Sequence, residues 1–157
     1  QLETIKAFSL ACIEAAEGLV PAVKPQVALF EKFGPAGMEI LQHVGDQAKQ
    51  AGLLVIMDAK RGDIGSTSEA YADAWIGPDA PFFADALTIN PYMGLDTLEP
   101  FITKAIDHHA GLFILLRTSN PGSADIQELP TPKIPPQNLI QSQSPAARQL
   151  KPQKQEK

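Results

Sequence analysis

The chain has 157 residues, 18 acidic against 13 basic side chains and a formal net charge of -5. That length suits one domain with a real core, and the acidic balance argues against a nucleic-acid surface as the main partner. Cys12 is the single cysteine, so neither an internal disulfide nor a cysteine-based metal site is expected; no signal peptide or membrane-length apolar run is read, and a cytoplasmic, metabolite-handling protein fits best.

Taken in chain order, Leu2, Ile5, Phe8, Cys12, Ala15 or Ala16 and Leu19 recur at helical spacing and predict a helix with that face buried, Cys12 included. Gly18 and Pro21 help to end it. Val20 to Val23 then predicts a short strand closing on Lys24, which Pro25 biases to an extended conformation. Pro35 opens a second helix with Met38, Leu41, Val44 and Ala48 inward and Gly52 as its stop.

Leu53 to Met57 predicts a buried strand, followed at once by Asp58-Ala-Lys-Arg-Gly-Asp-Ile-Gly-Ser-Thr67. Two carboxylates and an ammonium within six residues at the end of an apolar strand are the strongest chemical signal in the chain. Asp58 and Lys60, two apart, share a side if the strand continues, with Asp63 in the following loop. Ser66 to Glu69 has the form of a capping box ahead of a helix through Tyr71 to Ile76, and Asp96 to Glu99 that of a second one, ahead of a helix reaching about His109. Ala86 to Ile89, before Asn90-Pro91, and Leu112 to Leu116 predict two more strands.

Four strands at roughly thirty-residue spacing, mostly separated by helices, indicate repeated βαβ units. Right-handed crossovers then bring Lys24, Asp58, Lys60, Asn90 and Ser119 to one sheet end, where α/β enzymes keep their active sites. Beyond Leu129 the chain turns rich in Pro, Gln and Lys without periodicity, and 130–157 is read as a disordered tail. The pattern at residue 1 starts on a helix with no strand before it. The expected architecture is therefore α/β, an incomplete (β/α)8 barrel over 1–129 with about half the strands of a closed one and their helices.

With Lys24-Pro25 ending one strand, Asp58-Ala-Lys-Arg-Gly-Asp-Ile64 ending the next and Arg117-Thr-Ser-Asn-Pro-Gly-Ser123 after a later one, the chain resembles orotidine 5'-phosphate decarboxylase. The resemblance covers most of residues 1–129. It implies decarboxylation of orotidine 5'-monophosphate to uridine 5'-monophosphate in pyrimidine biosynthesis, by a homodimer using neither metal nor organic cofactor. Carried over, it makes Lys24, Asp58, Lys60 and Asp63 the alternating charged tetrad, with Asp63 reaching the neighbouring subunit's site. Ile64 then lines the pyrimidine pocket across the dimer, Thr67 lies near the ribose hydroxyls, and Ser119 reads the pyrimidine edge.

The missing first strand and late phosphate-binding loops of the family imply weak or absent activity for this chain alone. Two other readings stay open: a magnesium-dependent sugar-phosphate decarboxylase with the same Asp-x-Lys-x-x-Asp spacing, and a non-catalytic fragment docking on a full-length subunit. Several residues have plainer readings. Thr67 is balanced between helix start and ribose contact, Asn90 suits a turn, Tyr71 and Trp75 suit packing, and His43, His108 and His109 suit a helix surface.

Overall fold

The computed structural model describes residues 1–130. The tail expected from residue 130 onward lies, apart from Pro130, outside them. The elements run α1 (Leu2–Ala16), β1 (Ala22–Val23), α2 (Ala28–Glu31), α3 (Gly34–Gln50), β2 (Leu54–Arg61), α4 (Gly65–Trp75), β3 (Ala86–Ile89), α5 (Glu99–Asp107), β4 (Gly111–Ile114) and α6 (Ala124–Gln127). Two short 3-10 turns, Leu95–Leu98 and Pro121–Ser123, precede α5 and α6.

The strands form one parallel sheet in the order β1-β2-β3-β4. Sequential order with all strands parallel requires a crossover between each pair, which α2 with α3, α4 and α5 supply. One side of the sheet is closed by these helices. Val55, Met57, Leu87 and Ile89 pack with Leu41, Val44, Ala48, Trp75 and Phe101 in a single core. Gly45 lets α3 lie directly on Met57. The register places Leu54 beside Ala22, and Thr88 beside Phe113; Leu54 is 55% and Phe113 53% exposed, so the opposite side of the sheet is open.

At the lower end, Asp85 replaces a ladder rung. Its backbone N–H donates to the Val55 carbonyl at 2.9 Å, its carboxylate accepts the Val55 N–H at 2.8 Å, and its carbonyl accepts the Gly111 N–H at 2.8 Å. Three strands are thereby fastened at one residue.

Several expectations are corrected. α1 buries Ile13 and packs Ile5, Leu10 and Ala16 on the core, whereas Phe8 is 69% exposed and Cys12 is exposed rather than core. Leu2 to Leu19 carries more apolar residues than one stripe holds, so periodicity fitted a stripe turned away from the one used. The short helix α2 was not anticipated. Neither capping box forms, because α4 begins at Gly65 and puts Ser66 inside the helix, and α5 begins after a 3-10 turn; neither start has a side-chain cap. Ser68 is fully buried instead, donating its hydroxyl to the Thr97 carbonyl at 2.7 Å.

Candidate active site

β2 does not stop at Met57. It runs on through Asp58, Ala59, Lys60 and Arg61, so the first four motif residues are strand and only Gly62 to Ile64 form the loop. The apolar run ended early because a strand facing polar partners needs no apolar side chains there. Met57 pairs with Leu87 and Arg61 with Ile89, four steps on β2 against two on β3, which is a bulge. Within it Lys60 adopts a left-handed backbone, φ 51°, a conformation uncommon for a residue other than glycine.

Asp58 is the centre of the cluster and only 8% exposed. Its Oδ1 accepts from Lys60 Nζ at 2.5 Å and from the Thr88 hydroxyl at 2.9 Å. Its Oδ2 accepts from Gln26 Nε2 at 2.9 Å, and Lys24 Nζ stands 3.9 Å away. The backbone adds a bridge between Gln26 and Asp58, in which Asp58 N–H donates to the Pro25 carbonyl and Val27 N–H to that of Asp58. Burial opposes the charge on Asp58 and is the largest single influence; hydrogen bonds from Lys60 and Thr88 and the ammonium charges of Lys60 and Lys24 together outweigh it, holding the carboxyl below its ordinary 3.8.

Both lysines keep much of their side chains in solvent while meeting a nearly buried carboxylate. The arrangement therefore presents ammonium groups, oriented by one fixed anion, at the C-terminal end of a parallel sheet. Such a group can stabilise developing negative charge and supply a proton.

Past the bulge the geometry loosens. Gly62 is required, since a Cβ there would press on the Asn90 carbonyl, and Asn90 N–H donates to the Arg61 carbonyl at 2.8 Å. Asp63 folds back locally, its Oδ1 accepting the Ile64 N–H at 2.8 Å, and among the described residues no polar contact joins it to Asp58. Ile64 is 61% exposed, and Thr67 is exposed in the first turn of α4.

Ser119 lies in the loop after β4, exposed, in an open cavity bounded by its own loop from Arg117 to Ala124. That loop is tied to itself, Arg117 donating to the Ser123 hydroxyl at 2.8 Å and Thr118 N–H to Gln127 Oε1 at 2.8 Å. Of the seven residues singled out by sequence, Lys24, Asp58 and Lys60 meet within this chain, while Asp63, Ile64, Thr67 and Ser119 stand apart from them.

Two cluster members escaped the sequence reading. Thr88 is the one polar residue in the apolar run Ala86–Ile89, a signal that could have flagged it. Gln26 follows Lys24-Pro25 with nothing in its spacing to mark it. Asn90 does hold a turn, accepting the Tyr92 N–H at 3.0 Å. Trp75 is buried and Tyr71 packs on the core, with the Arg61 guanidinium 5.4 and 5.6 Å from their ring centres while it pairs with Glu31 of α2. No group of acidic, histidine or cysteine side chains suited to a metal ion occurs among the described residues, and no helix there is long and apolar enough to cross a membrane.

Comparison with known proteins agrees with this geometry. A curated orotidine 5'-phosphate decarboxylase of Rhodopirellula baltica is 54% identical over 126 residues, 78% of this chain and 42% of that protein. One from Nocardioides is 46% identical over 123 residues, 78% of this chain and 45% of that protein. The chain thus spans less than half the length of these relatives.

Among solved structures, Leishmania donovani OMP decarboxylase superposes with a TM-score of 0.74 at 37% identity, covering 83% of this chain and 50% of that one. An orotidine 5'-monophosphate decarboxylase from Methanocaldococcus jannaschii, 21% identical with a TM-score of 0.63 over 78% of this chain and 55% of that one, shares the fold. The four-stranded sheet is accordingly part of a (β/α)8 barrel. Since the model of the orotidine 5'-phosphate decarboxylase / HUMPS family matches residues 2–151, nearly the whole sequence, the chain belongs to that family.

Proposed function

We propose that this chain carries the catalytic core of a decarboxylase converting orotidine 5'-monophosphate to uridine 5'-monophosphate. The observation that supports it is the Asp58 carboxylate, nearly buried yet held by Lys60 at 2.5 Å with Lys24 beside it. The chemical problem in this reaction is a carbanion at C6 of the pyrimidine. A substrate carboxylate beside Asp58 is repelled: two unit charges about 4 Å apart at an effective dielectric near 20 interact by roughly 4 kcal/mol. Loss of neutral carbon dioxide relieves that repulsion.

Lys60 is the group that stabilises the carbanion electrostatically and then protonates C6. Lys24 holds Asp58 in its charged state and binds ribose hydroxyls. Asp63, Ile64 and Thr67 serve the site of a second subunit in a homodimer, a role consistent with their exposure and with the local hydrogen bond of Asp63. Ser119 reads the pyrimidine edge from its loop.

The test is the fall in ultraviolet absorbance of orotidine 5'-monophosphate on adding the purified 157-residue chain, with Lys60→Ala as the control for contaminating host enzyme. A rate that disappears with the alanine supports the proposal. No rate from either protein shifts the reading to a non-catalytic chain docking on a full-length subunit. That alternative draws on the open side of the sheet, where Leu54 and Phe113 face solvent. Co-purification with an intact homologue, without turnover of its own, would identify it.

A further inference from the structure

We propose that Thr88 is a positioning residue, one hydroxyl that fixes both the Asp58 carboxylate and the bulged backbone from which Lys60 projects. The inference rests on Asp58 and Lys60 being the reacting pair proposed above. A threonine hydroxyl has one proton to give and lone pairs to receive. Here the proton goes to Asp58 Oδ1 at 2.9 Å, because an ionised carboxylate can only accept, and a lone pair receives the Lys60 N–H at 2.9 Å. The direction of both bonds is therefore set.

The geometry explains why a hydroxyl is needed at this place. The bulge between Met57 and Arg61 takes Lys60 out of the paired register, and its amide is met by Thr88 Oγ1. Lys60 is held at φ 51°, a strained conformation that persists only where surroundings enforce it. Thr88 is 7% exposed, so water does not readily replace its hydroxyl. From the same residue, Lys60 Nζ returns to the very oxygen that Thr88 holds. Backbone, carboxylate and ammonium thus close a ring through one side chain, while Gln26 and Lys24 face the other carboxylate oxygen. Loss of the hydroxyl leaves a part-buried amide and one carboxylate position unmatched at the same time.

The experiment compares Thr88→Val, which keeps the shape and removes the hydroxyl, with Thr88→Ser, which restores it, in the full chain. Carboxyl-carbon NMR titration of Asp58, assigned with Asp58→Asn, and hydrogen exchange of the Lys60 amide are read alongside the melting curve. The expected result is an upward move of the Asp58 midpoint and roughly tenfold faster Lys60 exchange in the valine variant, the scale of one lost hydrogen bond, with serine returning both towards wild type.

A folded valine variant in which neither changes overturns the proposal. So does a serine variant that behaves like valine, because the methyl would then be what matters. If the valine variant fails to fold, the wild-type and serine proteins decide: a Lys60 amide exchanging at the rate of an unprotected chain overturns the proposal, and protection in both supports it. These readouts need no turnover. An inactive chain with the expected NMR behaviour counts against the decarboxylase reading and leaves the role of Thr88 standing.

Discussion

The two halves of the motif behave differently. From Asp58 to Arg61 the polar side chains are tied together across the fold: Gln26 and Thr88 of other elements hold Asp58, Lys60 reaches back to Asp58 along its own strand, and Arg61 meets Glu31 with Tyr71 and Trp75 beneath it. From Asp63 to Thr67 the chain faces outward, and its notable side-chain bond is the local one between Asp63 and Ile64. The ten residues from Asp58 to Thr67 therefore divide into a part whose polar groups are paired within the chain and a part that faces outward. Side chains are oriented where a neighbouring strand lies within reach and are left free where the strand gives way to a loop.

This contrast can be broken most directly at Lys60. Lys60→Ala should lower decarboxylation about 10²- to 10⁴-fold, the usual span for losing a positioned acid, and the absorbance assay reads it. If Asp63 serves a second subunit, Asp63→Ala should also be inactive alone, yet mixing it with Lys60→Ala should regain turnover, because one mixed site keeps both residues. Mixtures as inactive as their components would place Asp63 with its own chain.

Acid distinguishes the halves through stability. The folded-state pKa of Asp58 is lowered from 3.8, so its contribution is complete above that value and disappears as pH falls through the lower folded value. Urea midpoints followed from about pH 7 to about pH 3 should fall more steeply for the wild type than for Asp58→Asn across this acidic window. Parallel curves would mean that the carboxylate is not gripped.

The smallest effect is expected at the start of α4. Ser66→Ala should change stability by less than about 0.5 kcal/mol, as at an ordinary surface position, whereas a true cap would lose about 1 kcal/mol. Thermal melts resolve the two.

Much of this was legible in sequence, unevenly. Ala86–Ile89 was found at its true bounds because β-branched and apolar residues fill it between turn signals. Leu41, Val44 and Ala48 of α3 face inward as their spacing demands. Periodicity could not show that β2 continues through Asp58 and Lys60, since the burial of Asp58 is compensated by Thr88 and Gln26, which lie 30 and 32 residues away. Nor could it choose among the apolar stripes of α1, or reveal that Ser68 would bond the Thr97 carbonyl across to the next element. Chemistry-bearing residues were visible as types; their partners were not, because partnership is set by register.

Register is where Asp85 has its consequence. By exchanging bonds with Val55 at the base of the sheet, it fixes Ala86 against Ile56 and Leu87 against Met57, so that the hydroxyl of Thr88 arrives at Asp58. A slip of one residue would turn β3 over and bring Leu87 or Ile89 to that carboxylate, an alkyl chain against a nearly buried charge. An aspartate at the end of the sheet remote from the chemistry thus acts as an indexing pin, and misalignment there would disable the site without touching a single one of its residues.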